Sequence, residues 1–227
     1  MVNAAMTTNT RTNDELEDQQ RLAPAVNSLR IFDAAQEYGT DLDLTSNEDQ
    51  YLDMTNTPWT LLPCPRKTGH PCETCGEAQQ PHYDALIVAV GGYCTGKIGR
   101  DARMGTGVFF APQANLNASV RRTDPEHGAN RSTQRAELEA HLADLEIVTS
   151  RVLNRLPHLC RVVIKTNSEY AVRNLTLRDG QGEVNKELCR KVKAKFTELE
   201  GLGVRVQLWK VERSQNPYAN ILANRAC

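Results

Sequence analysis

The apolar positions of this chain fall into two unlike regions, scattered before residue 84 and periodic after it. In Asp84–Cys94, the run Ile87, Val88 and Val90 is bounded by Gly91-Gly92, which predicts a buried strand running into a turn. A glycine-rich turn from Gly92 to Gly105 leads to two further strand-like stretches, 107–111 and 117–121, with Asp124-Pro125 and His127-Gly128 as turn punctuation. Ser132 or Thr133 can then cap a helix to about Thr149, with Leu138, Leu142 and Leu145 on one stripe. A β-rich run, 162–166, precedes a short helix over 168–175 and a turn at 178–182. The helix predicted over 185–200 stacks Leu188, Val192, Phe196 and Leu199 on one face, with Gly201 as its stop. Residues 204–211 alternate as a last strand, and a terminal helix starts at Asn216 or Pro217. The order β-β-β-α-β-α-α-β-α implies an α/β fold: a mixed five-stranded sheet flanked by helices, with no internal repeat.

Upstream the pattern dissolves. Residues 1–20 are polar and read as disordered, 26–38 could hold a short helix with Val26, Leu29, Ile31 and Phe32 partly clustered, and 39–60 are acidic, with Leu42, Leu44, Tyr51, Leu52 and Trp59 as isolated anchors. Three segments follow: an acidic, largely irregular extension over 1–60, a Pro/Cys/His-rich lead-in over 61–82, and a regular domain over 83–227.

Charge sharpens this division. Residues 1–82 carry 5 Lys/Arg against 13 Asp/Glu, and residues 83–227 carry 22 against 15, so differences of −8 and +7 sum to the net −1. An acidic arm beside a basic domain suits a polyanion partner, although an ordinary domain with an acidic tail has the same composition. The extension is also a candidate contact for a protein partner. No apolar run reaches the ~18–20 residues of a membrane span, and the start has no secretory pattern. These features predict an intracellular protein, nuclear or cytoplasmic, with no membrane partner.

Seven cysteines in such a chain do not predict disulfides. Cys94, Cys160 and Cys189 sit in apolar or amphipathic segments as small buried residues. Cys72 and Cys75 form a C-x2-C pair that could hold a structural Zn2+ together with Cys64 and His82, or with His70; a metal-free lead-in is the alternative.

Four motifs, Gln134-Arg-Ala-Glu-Leu138, Thr166-Asn-Ser-Glu-Tyr170, Asn185-Lys-Glu-Leu188 and Asn216-Pro-Tyr-Ala-Asn-Ile-Leu-Ala223, follow the strand that ends in Gly91-Gly-Tyr-Cys94. In this order and spacing they resemble ribonuclease H type 1, over residues 84–226. The resemblance implies an RNA–DNA hybrid endoribonuclease whose D-E-D-D carboxylates hold two Mg2+ ions about 4 Å apart. Carried over by position, that set is Gly91, Glu137, Asn167 and Asn220, and only Glu137 keeps its charge. A catalytic Mg2+ pair is therefore not expected, and none of Asp84, Asp101, Glu139 or Glu169 is an obvious replacement. Thr133 and Lys97 stand where the family's RNA-contacting Asn residues fall, and the loop 212–215 lacks the family's His. Gln134, Asn185, Lys186, Arg190 and Lys193 are the implied nucleic-acid contacts, with Lys191, Lys195, Arg173 and Arg178 nearby. The expectation is an inactive pseudoenzyme that binds nucleic acid, an RNA–DNA hybrid or duplex, mainly through backbone contacts. The alternatives are a protein-interaction scaffold and a divergent active hybrid ribonuclease.

Overall fold

The computed structural model describes residues 28–38, 58–62, 82–96, 103–122, 131–177 and 185–227. Its backbone is a six-stranded mixed sheet, one strand more than the sequence pattern predicts. The strands are β1 (Thr60–Leu62), β2 (His82–Thr95), β3 (Arg103–Phe109), β4 (Ala118–Arg122), β5 (Arg161–Thr166) and β6 (Arg205–Lys210). The path runs β4-β3-β2-β5-β6, and β1 pairs antiparallel with the first half of β2. β2–β3 and β3–β4 are antiparallel, whereas β2–β5 and β5–β6 are parallel. The added strand lies where the extension meets the lead-in, in a segment too short to show a period.

Among the described residues, five α-helices accompany the sheet: α1 (Ala34–Tyr38), α2 (Thr133–Ile147), α3 (Glu169–Thr176), α4 (Lys186–Gly201) and α5 (Pro217–Arg225). Ser132 caps α2 by accepting from the Arg135 N–H at 3.2 Å, and Ser168 caps α3 through the Ala171 N–H at 3.0 Å. Alternation along β2 sends Leu86, Val88 and Val90 into the main core with Leu138, Leu145, Val192 and Phe196. Ala85 and Ile87 point the other way, onto Phe32, Val163 and Trp209, and Ala89 meets Phe109 and Ala219 of α5.

Gly91-Gly92 does not end β2, as the sequence pattern suggested; the strand runs through both glycines to Thr95. The glycines serve close approach instead. A Cβ on Gly92 would stand 2.1 Å from the Glu137 backbone N of α2, and on Gly107 it would stand 2.2 Å from the Ala219 carbonyl O of α5. Helices thus rest directly on glycine backbone on both faces of the sheet. The expected stop of α4 also moves: Gly201 is helical, and the left-handed residue is Gly203, with φ 82°. Of the three cysteines expected to be buried, Cys189 is buried, Cys94 is half-buried, and Cys160 is exposed beside Asp84.

The weakly patterned segment before α1 packs on the sheet edge. Ile31 bridges Leu208 in parallel, Phe32 meets Trp209 edge-on at 5.4 Å, and Arg161 grips Glu37 through two bonds of 2.6 and 2.7 Å. Trp59 is buried against Phe110. Leu42, Leu44, Tyr51 and Leu52 lie outside the described residues.

Candidate functional site

The parallel ladder pairs Ala89 with Lys165, so two steps further along the strands Gly91 lies beside Asn167 at the open end of β5. Around that point the structure gathers all four positions singled out in the sequence. Asn216, buried ahead of α5, is the bridge: its Nδ2 donates to the Val90 carbonyl O at 2.9 Å and to Asn167 Oδ1 at 3.0 Å. Glu137, one turn into α2, accepts the Ser168 hydroxyl on Oε2 at 2.5 Å. Asn220, one turn into α5, leans on Gly91: a Cβ built there would meet its Oδ1 at 3.1 Å and the Ala219 carbonyl carbon at 3.1 Å. A side chain at position 91 would need α5 to give way by a few tenths of an ångström.

Arg213 belongs to this cluster, on the loop that lacks the family's histidine. The Arg213 carbonyl accepts the Asn216 N–H at 3.2 Å and a long contact of 3.4 Å from Asn220 Nδ2. Burial raises the pKa of Glu137, an effect reduced by the Ser168 hydrogen bond and by the positive charge of Arg213. Behind Asn216 lies Lys165, whose ammonium stands 5.2 Å from the Trp209 ring centroid and whose pKa burial lowers to about 8. Lys165 and Asn216 line a cavity of about 20 Å³ with Ala89, Phe109 and Tyr218. Ser168, Asn216, Arg213 and Lys165 were not singled out as site residues in the sequence, because each gains its role only from a neighbour on another element.

The carboxylates weighed as replacements stand elsewhere. Glu139 pairs with Arg135 at 3.1 Å, Glu169 reaches Lys210 at 3.4 Å, and Asp84 sits at the opposite end of β2; Asp101 lies outside the described residues.

The implied nucleic-acid contacts divide. Gln134, Lys186 and Arg190 are exposed, the last two one turn apart on α4. Asn185 precedes α4 in a left-handed conformation, with φ 59°, and its Nδ2 donates to the Tyr170 hydroxyl at 3.3 Å. Lys193 is half-buried, and its ammonium donates to the Leu177 carbonyl O at 2.6 Å, so it braces the end of α3. Lys191 and Lys195 pair with Glu187 and Glu198 at 2.8 and 2.7 Å. Of the expected zinc donors, Cys64, Cys72 and Cys75 lie outside the described residues, and His82 opens β2, its Nδ1 3.9 Å from Asp84 Oδ1. No described helix is long and apolar enough to cross a membrane.

No family model matches the chain, and no curated protein is similar to it. Among solved structures it is similar to RNase H1 of the halophilic archaeon Halobacterium salinarum, at 18% identity, covering 63% of this chain and 96% of that one with a TM-score of 0.44. It is also similar to LC11-RNase H1, isolated from compost and solved in complex with an RNA/DNA hybrid, at 22% identity, 62% and 94% coverage and a TM-score of 0.46. A third likeness is to the foamy viral protease-reverse transcriptase in complex with dsDNA, at 13% identity, 62% and 92% coverage and a TM-score of 0.43. Three antiparallel strands, two parallel ones beyond them, and helices in the order α2, α3, α4 and α5 give the part that begins at β2 the mixed-sheet α/β fold that the sequence resemblance implies.

Proposed function

We propose that this protein is a ribonuclease H-like nucleic-acid-binding protein in which two-metal hydrolysis has been lost. The observation that carries the reading is the state of the four gathered positions. Glu137 is their one carboxylate, and one of its oxygens already accepts the Ser168 hydroxyl. Asn167 offers a neutral oxygen that already accepts from Asn216, and Gly91 offers none, its Cβ position lying 3.1 Å from α5. Two divalent ions 4 Å apart repel by roughly 17 kcal/mol at an effective dielectric of about 20. A single carboxylate and neutral amides do not offset that, and Mg2+ depends on anionic oxygens. The donor set does not fit a catalytic Mg2+ pair.

Binding rests on charge. Lys186 and Arg190 are exposed cations on one face of α4, and the domain is basic as a whole. An RNA–DNA hybrid or duplex held by its backbone is the ligand class that this surface suits. Binding of a labelled hybrid across a salt series tests the reading. Wild type should lose affinity steeply with salt, and Lys186→Glu with Arg190→Glu should lower the slope by about 0.9 per lost contact. Affinity that ignores salt, or that survives the double reversal unchanged, would favour the protein-interaction scaffold. The sequestering of Lys191, Lys193 and Lys195 by groups of this chain is the observation on that side.

A further inference from the structure

The first described residues are fastened beside the C-terminal end of α4. Ile31 bridges Leu208, Gln207 Nε2 donates to the Leu29 carbonyl O at 3.2 Å, and the Phe32 N–H donates to the Leu208 carbonyl O at 2.9 Å. Arg30 reaches α4 itself: its Nη1 stands 2.8 Å from Glu200 Oε1, and its guanidinium lies 4.8 Å from the Phe196 ring centroid. The chain that precedes Ser28 is thereby delivered to the last turn of that helix. Beside Glu200 an exposed ridge begins and runs back along α4 through Gly201, Thr197, Ala194, Arg190 and Lys186, at helical spacings of three and four. The ridge carries no acidic residue, and its two cations make no hydrogen bond or ion pair among the described residues. Lys191, Lys193 and Lys195, by contrast, are held by groups of this chain.

Upstream, Asp14, Glu15, Glu17 and Asp18 place four carboxylates within five positions, outside the described residues. Asp18 stands ten positions before Ser28, a stretch that spans at most about 33 Å, whereas Arg190 and Lys186 lie about 15 and 21 Å along the helix from Glu200. We propose that the acids of 14–18 dock on this ridge, at Arg190 and Lys186, and so compete with nucleic acid for it, a regulation that rests on the nucleic-acid reading of that helix. Each exposed ion pair is weak by itself, but a tether anchored at the foot of the ridge keeps the acids at high local concentration, which lets weak pairs compete with a free ligand.

The test uses the full chain, in wild type and with Asp14→Asn, Glu15→Gln, Glu17→Gln and Asp18→Asn combined. Carbodiimide cross-linking without nucleic acid, read by mass spectrometry on the monomer, should join Lys186 to an acid of 14–18, and added RNA–DNA hybrid should suppress that product. The combined variant should bind a labelled hybrid at least about threefold more tightly at low salt, with the gap narrowing as salt screens the pairs. Absence of the cross-link overturns the docking and leaves the nucleic-acid reading standing, even if affinity rises, because general repulsion by an acidic arm gives that rise alone. Lys186 joined instead to an acid of 41–53, or joined only in covalent dimers, also overturns it and assigns the ridge to that segment or to a second copy. The cross-link with unchanged hybrid affinity overturns the competition. The cross-link with no hybrid binding by either protein supports the docking and overturns the nucleic-acid reading.

Discussion

Asp144 and His141 are both fully buried on α2, and neither belongs to the gathered cluster. Among the described residues, both Asp144 oxygens and His141 Nε2 have no hydrogen-bond partner, while His141 Nδ1 meets the Glu137 carbonyl O at 2.7 Å. Burial holds the Asp144 carboxyl well above its usual range and the His141 imidazole down at about 4. The two residues act in different pH windows. Unfolded His141 takes a proton below about 6.5 and the folded form only below about 4, so stability should fall as pH drops between those values, by about 3 kcal/mol. Urea denaturation across that range should show the slope, and His141→Leu should flatten it. Asp144 behaves oppositely: the unfolded carboxyl ionises above 3.8 while the folded one keeps its proton, so it lowers stability as pH rises past that point. Asp144→Leu should therefore stabilise the protein at pH 7 by about 1–3 kcal/mol, with a smaller gain below pH 4. Denaturant midpoints of the variant at the two pH values check this. Neither residue was legible as special in the sequence, because a polar residue inside an amphipathic helix reads as part of its solvent face.

The helices and strands were legible in order because their periods are strong, as in the Leu188, Val192, Phe196 and Leu199 stripe of α4. What misled was glycine, which carries two meanings in a sequence: a turn, or a place where another backbone comes close. Gly92 is the second kind, and Gly201 is neither, with nothing within 4 Å of a built Cβ. Gly92→Ala would drive a methyl group into the α2 backbone and should cost about 1–3 kcal/mol or more. Gly201→Ala, in the last turn of a helix, should stabilise by up to about 1 kcal/mol. Thermal unfolding of the two variants should move in opposite directions; equal shifts would mean that the glycine paving between sheet and helices is unimportant. The same paving brings α5 against β2 at Gly91, so restoring the carboxylate there requires the helix to give way by a few tenths of an ångström.

For the whole molecule, the four positions picked from the sequence do meet, since the fold brings β2, α2, the end of β5 and α5 to one place. The sequence could show which side chains were exchanged, but not what the exchanged amides and their neighbours now touch. Those contacts join residues as distant as Val90 and Asn216, and Glu137 and Ser168, which no local pattern connects. The N-terminal segment was similarly obscure, because Phe32 and Glu37 find their partners on β5 and β6. A fold that holds nucleic acid at a site without hydrolysing it should bind a hybrid and leave its RNA intact. A single-turnover assay with protein in excess over a labelled RNA–DNA hybrid, in Mg2+ and then Mn2+, addresses it most directly. The RNA should stay intact in both metals, with wild type and Glu137→Gln indistinguishable. RNA cleavage by wild type that disappears in Glu137→Gln would contradict it.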